Sequence, residues 1–225
     1  MKKLHPIQKT AKTAGWLYLL LIPLGLLGLM YIPTLIIFGD ISMTISNIMA
    51  HEGLFRLSIV SSLAIQLVII FVALFLYKLL KSVNKNIAGL MVIFIFLAIP
   101  IAMLTELNHG AVLFLIYSVD QSPLLISLFL NLHEYGVNIA QIFWGLWLFP
   151  MGCLVFKSGF LPKFIGILLM IGCFGYFADS IIYFLNPDFG IMFSEFLFIG
   201  EVILPLWLVI KGVNVGKWEK VNSEG

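Results

Sequence analysis

LHEYGVNIAQIFWGLWLFPMGCLVFKSGFLPKFIGILLMIGCFGYFADS, residues 132–180, decides the fold. From 136 to 156 it carries no charged residue, and from 160 it resumes as an apolar run reaching 185 with only Lys163 and Asp179 inside. Each run is about 20 residues or more, and a helix of that length, rising ~1.5 Å per residue, crosses a hydrocarbon core of ~30 Å. Between the two, KSGFLPK at 157–163 combines lysines with Gly and Pro, the chemistry of one helix ending and the next starting. The segment reads as two membrane-crossing helices joined by a short basic turn.

The same pattern recurs outward from it. Apolar runs lie at 14–38, 54–80, 87–107 with an apolar continuation to 116, and 191–210, which makes six spans with 136–156 and 160–185. Of the 225 residues 61% are hydrophobic and 11% charged, with a mean hydropathy of +1.09, so a water-soluble globule is excluded. The first run is too long for a cleaved leader and lacks a small-residue cleavage site, so it is expected to remain as a span. Two shorter segments do not cross. DISMTISNIMAH at 40–51 reads as an outer helix capped by Asp40, and 124–132, after the DQSP turn at 120–123, as an outer surface or re-entrant helix. In the third span Pro100 and Asn108-His109-Gly110 are expected to bend or end the helix. The expected fold is all-α: a polytopic membrane bundle of six transmembrane helices with short extracytoplasmic helices, one unit over residues 1–225.

Lysine placement sets the expected orientation, because cytoplasmic loops near span ends carry excess Lys and Arg. Lys2, Lys3, Lys9 and Lys12, then Lys78, Lys81 and Lys85, then Lys157 and Lys163, then Lys211, Lys217 and Lys220 all fall on one side of a six-span chain. That side is expected to be the cytoplasm, with 1–12 and 212–225 as cytoplasmic tails. Cys153 and Cys173 lie inside apolar runs, away from any metal-type or redox spacing, and read as core fillers.

Apart from Glu219 and Glu224 in the tail, the carboxylates fall on the other side or within the spans, as do His51, His109 and His133. Counting along the helices puts Glu106 about 29 Å from residue 87 and Asp179 about 24 Å from Lys163, both in the outer third. Glu52 and Arg56 open the second span there, and His133 and Glu134 the fourth. Helical spacing places Glu52, Arg56, Ser62 and Gln66 on one stripe, and Glu134, Asn138, Gln141, Gly145 and Gly152 on another; Glu106 shares a face with His109, and Asp179 with Tyr176. A charge facing lipid costs about 2.5 to 3.5 kcal/mol on insertion scales, so these stripes should turn inward. The candidate binding pocket is therefore Glu52, Arg56, Glu106, His109, His133, Glu134 and Asp179. Glu201, near the middle of the last span, is expected to be protonated or paired.

AGWLYLLLIPLG (14–25), HEGLFRLSIVSSL (51–63), LYKLLKSVNKNIAGL (76–90) and above all 132–180 resemble bacterial membrane proteins of the family called domain of unknown function 4386. The resemblance covers nearly the whole chain. It implies the six-span architecture and no reaction, since the family has no established activity. It matches at Arg56, His133, Tyr135, Gly136 and Asp179. An aspartate often follows the LFR element in that family where this chain has Ser62, so no second-span carboxylate is available at that place.

Three functions fit these observations. The first is an outer pocket that binds a lipid headgroup, small solute or ion, in a carrier or sensor. The second is a membrane-embedded hydrolase or transferase acting on a lipid through His133, Glu134 or Asp179. The third is an accessory protein acting through helix contacts with a membrane partner. Membrane lipids are the expected partners, and nothing points to nucleic acid. No cofactor is expected. Zinc is the metal alternative, with His109, His133, Glu134, Glu106 and Asp179 as possible ligands, though no HxxxH or HExxH pair fixes two of them on one helix. Ser58, Ser61 and Ser62 lack the elbow motif of a serine nucleophile.

Overall fold

The computed structural model describes residues 4–37, 39–119 and 121–224. Lys2, Lys3 and Asp120 of the residues placed above lie outside them. The described residues form helices and no strand. They are α1 (Pro6–Gly25), α2 (Ile41–Ala50), α3 (Glu52–Leu80), α4 (Lys85–Ile116), α5 (Pro123–Ser158), α6 (Lys163–Leu185), α7 (Ser194–Leu197), α8 (Ile199–Ile210) and α9 (Val215–Glu224). Five helical segments are long and apolar enough to cross a bilayer, the first being α1 extended through wider and tighter turns to Leu35. A sixth is reached when Ser194–Ile210 is counted with Val215–Ser223, two pieces bent by 103°. The chain is a polytopic helical membrane protein.

The ends of the helices follow from local chemistry. Asp40 Oδ1 accepts the Met43 N–H at 2.8 Å and Asn84 Oδ1 the Ile87 N–H at 2.9 Å, each satisfying a donor that helix geometry leaves without a partner. Gly159 stops α5 at φ +70°, a conformation that a side chain disfavours, and the chain restarts at Lys163 after Pro162.

Two expectations change. Residues 124–132 are not a separate surface helix: they are the first turns of α5, which runs unbroken for 36 residues. The third span likewise runs through Pro100 and Gly110 without ending, as the 32 residues of α4. The missing N–H of Pro100 removes one hydrogen bond, and the many that remain carry the helix past it. At ~1.5 Å per residue α4 and α5 are about 48 and 54 Å long, well beyond a ~30 Å hydrocarbon core. Helix also extends into the described parts of both tails, since α1 already includes Lys9 and Lys12 and α9 includes Lys217 and Lys220.

Neighbouring helices pack as a ring, in the order α1, α3, α4, α5, α6, α8 and back to α1. Inside it lie two apolar clusters. The larger fills the lysine-bearing end, with Ala11, Leu76, Met91, Trp147, Met151 and Leu208 fully or almost fully buried. The smaller joins α2 to the far ends of α3, α4 and α5 through Ile48, Phe55, Val112, Ile116 and Ile126. At the lysine end the segment around the last helix is fastened to α1, to the end of α3 and to the turn after α5. Gln8 Nε2 donates to the Lys211 carbonyl at 3.0 Å, Trp218 Nε1 to the Leu79 carbonyl at 3.3 Å, and the Asn214 N–H to the Phe160 carbonyl at 3.2 Å.

The small stripe of α5 lets α6 approach backbone to backbone. A Cβ at Gly152 would stand 2.6 Å from the Gly166 carbonyl oxygen and 2.9 Å from the Met170 nitrogen, inside contact distance of atoms that cannot rotate away. Gly152→Ala is accordingly expected to lower stability by about 1–3 kcal/mol through overpacking, read as a fall in the thermal midpoint of the purified protein in detergent.

Candidate functional site

Between the two apolar clusters the bundle is polar. Ser58, Ser61 and Gln66 on α3, Thr105, Glu106 and His109 on α4, Asn138 and Gln141 on α5, and Asp179 and Ser180 on α6 are all buried there. A polar group out of water needs a partner, and most of these find one nearby: Ser61 donates to the Leu24 carbonyl at 2.8 Å and Ser180 to the Tyr176 carbonyl at 3.0 Å. Gln66 Oε1 and Gln141 Nε2 are buried with no hydrogen-bond partner.

The centre of the layer is built from two antiparallel helices. Glu106 and His109 are three residues apart on α4 and share its inward face, while His133 comes from α5. Gly136, one turn below His133, allows the approach: a Cβ there would overlap the Thr105 hydroxyl. The carboxylate then bridges both imidazoles, with His109 Nδ1 3.2 Å from Oε2 and His133 Nε2 3.3 Å from Oε1. The two rings stack at a centroid separation of 3.5 Å and 20°, and Phe55 closes the far side of His109 with its centroid 5.0 Å away. The side chains of Glu106, His109 and His133 are 9%, 3% and 16% exposed, so the group is nearly closed to its surroundings. One nitrogen or oxygen from each lies within 4.8 Å of the others. Ligands held at ~2.0 Å around a tetrahedral zinc-class ion stand roughly 3.3 Å apart, close to the two nitrogen–oxygen separations seen here. The cluster is about 31 Å along α4 from Lys85, one hydrocarbon thickness from the lysine end.

The other expected site residues stand elsewhere. Glu52 and Arg56 pair with each other one helical turn apart at the surface, where Arg56 is 57% exposed. Tyr117 donates to Glu52 at 2.6 Å, and that hydrogen bond pushes the Tyr117 hydroxyl above its ordinary range. Asp179 accepts the N–H groups of Phe193 and Ser194 at 2.7 and 2.8 Å, fastening the start of α7 onto α6. Glu134 faces Tyr183 of α6. Among the described residues no hydrogen bond or ion pair joins these groups to Glu106. Glu201 has partners that its own sequence surroundings do not announce: Tyr18 of α1 donates to Oε2 at 3.0 Å and Tyr176 of α6 to Oε1 at 2.8 Å. Tyr176 was visible on the stripe with Asp179, but nothing in α1 marks Tyr18 as facing a carboxylate 183 residues later.

Fold and centre define a class, a multi-pass helical membrane protein with a His–His–Glu cluster buried between two apolar cores. Within that class the chain belongs to the family described as domain of unknown function (DUF4386), whose model matches residues 13–212. It is similar to an uncharacterized protein of the archaeon Archaeoglobus fulgidus, with 34% identity over 157 residues, 69% of this chain and 83% of that relative. No solved structure matches it.

The two charged groups differ in what they hold. Arg56→Gln removes an exposed ion pair and should shift stability by less than about 1 kcal/mol. Glu106→Leu strips both buried imidazoles of their acceptor and should cost about 1–3 kcal/mol, so thermal unfolding in one detergent should separate the variants clearly.

Proposed function

We propose that this chain is an integral membrane metal-binding protein in which Glu106, His109 and His133 take up a divalent transition-metal ion of the zinc class. One observation carries the reading: a carboxylate and two imidazoles, buried and from two helices, bring one donor atom each to within 4.8 Å of one another, with each imidazole nitrogen 3.2–3.3 Å from a carboxylate oxygen. The donor set is right for such an ion, since imidazole with carboxylate suits zinc and its neighbours, while magnesium and calcium favour oxygen alone. Both imidazoles now meet Glu106 through a nitrogen, and a bound ion would replace the shared protons. Three protein ligands leave a fourth position for water or a ligand, the arrangement that a Lewis-acid centre requires. This narrows the broader pocket first expected to three of its seven residues. The reading favours the membrane hydrolase or ion-binding alternatives over a purely structural accessory role. The test is elemental analysis of detergent-purified protein prepared without chelator. About one zinc-class ion per chain is expected, and it should be lost in a still monodisperse His133→Ala variant. Added zinc at 100 times its Kd should raise the stability of stripped wild-type protein by about 2.7 kcal/mol. Folded wild-type protein that holds no metal and ignores added zinc would overturn the reading.

The same reading places the lysine end in the cytoplasm and the metal centre near the opposite face, supported by the clustering of lysines at one end of the bundle. A C-terminal green fluorescent protein fusion in a bacterial host is expected to fluoresce, and a C-terminal alkaline phosphatase fusion to be inactive. The reverse pattern would invert the topology.

A further inference from the structure

A second feature lies in the other half of the bundle and is independent of the metal reading. Helices α4, α5 and α6 leave a groove of about 560 Å³ between them, lined by apolar side chains and by both cysteines of the chain. Ile87 and Leu90 supply one wall, Phe149 and Cys153 the floor, and Cys173 and Phe177 the other wall. On α4 the groove begins within one turn of the lysine end. On α4 it ends at Phe94, about 14 Å from Lys85, or roughly half of a ~30 Å hydrocarbon core, and on α6 its lining lies about 15 to 21 Å from Lys163. Leu90, Phe149 and Phe177 are exposed, which opens the groove sideways to the acyl chains around the bundle.

Its lysine-side mouth is cationic. Lys85 stands two residues before Ile87, and Lys157 lies one turn beyond Cys153 on the same face of α5. Lys163 opens α6 at the same end of the bundle, its Nζ 5.5 Å from the centroid of the Phe156 ring. All three lysines are exposed, and among the described residues none forms an ion pair. Glu219, a carboxylate of the same end, is already engaged by His5 at 3.3 Å. An apolar slot one leaflet deep, with unpaired cations at its headgroup level, has the complementarity of a lipid with a negative headgroup.

We propose that this groove is a binding site for one anionic phospholipid of the lysine-side leaflet, its acyl chain lying between α4, α5 and α6 and its phosphate held by Lys85 and Lys157.

The experiment reconstitutes the full chain with equimolar phosphatidylglycerol and phosphatidylcholine and counts retained lipids by native mass spectrometry. Wild-type protein is expected to keep one phosphatidylglycerol per chain in preference to phosphatidylcholine. Each of Lys85→Gln and Lys157→Gln should weaken that preference by about 5-fold, the effect of one interfacial cation on an anionic headgroup. Leu90→Trp, which fills the slot at an exposed position, should abolish retention of both lipids. A measurement on the unaltered chain runs beside these. Phosphatidylglycerol added to detergent-solubilised protein should slow modification of Cys153 by a small apolar maleimide, and phosphatidylcholine should do so much less. Equal retention of the two lipids by the wild type, an unchanged preference in the double lysine variant, or cysteine modification indifferent to phosphatidylglycerol would each overturn the proposal. Metal content is expected to stay the same in all four variants, the double lysine variant included, so loss of this site and loss of the metal centre are read separately.

Discussion

Inside a bundle that faces hydrocarbon, a polar side chain without a partner is penalised far more than in a protein surrounded by water, and that penalty organises this molecule. Apart from Ser158 at the end of α5, the buried polar residues of α3 to α6 gather in one layer, with an apolar cluster on each side. Within the layer almost every donor is aimed at an acceptor on the same or a neighbouring helix. The glutamate bridging two histidines is the most demanding case, because three ionisable groups share one dry volume and each must satisfy the others. Gly136 beside Thr105 and the glycine contacts between α5 and α6 bring backbones close enough for short side chains to meet. Packing and polarity are one problem here, solved by the placement of small residues.

The long helices give the layer its level. α4 and α5 continue past one hydrocarbon thickness, and their surplus turns carry Val112, Ile116, Ile126 and Leu130 into a second apolar cluster covered by α2. Without that cap Glu106 and His109 would be open to the interface; with it they are almost wholly enclosed. At the opposite end α9 turns sharply after Lys211 and lays Trp218 against the end of α3, so both ends of the bundle are covered by short helices of different character.

Much of the architecture could be read in the amino acids. Twenty-residue apolar runs, the KSGFLPK turn, the Asp40 cap and the one-sided lysines each rest on local chemistry, and the helices follow them. The errors came where local signals compete. Pro100 looks like a break and 124–132 like a helix of its own, yet α4 runs through the one and α5 absorbs the other, and continuity won, while the DQSP turn does separate the two helices. The site was legible only in part. Spacing of three along α4 put Glu106 with His109, but the rotation of α5 that selects His133 and sends Glu134 toward Tyr183 is set by tertiary packing. The charge of Arg56 suggested a buried anchor. One helical turn from Glu52 at an exposed helix start, it was satisfied locally instead.

The ring closes between its first and last spans, and this bears on how the chain is assembled. Synthesis delivers α1 long before α8, so the Tyr18 hydroxyl enters the bilayer with its eventual acceptor, Glu201, still 183 residues from being made. Until then the seam where Gly15 will meet Val209 and Pro205 faces lipid or an insertion chaperone. Biogenesis of this protein therefore ends with a zipper-like sealing step, and a nascent chain released before α8 would remain an open crescent.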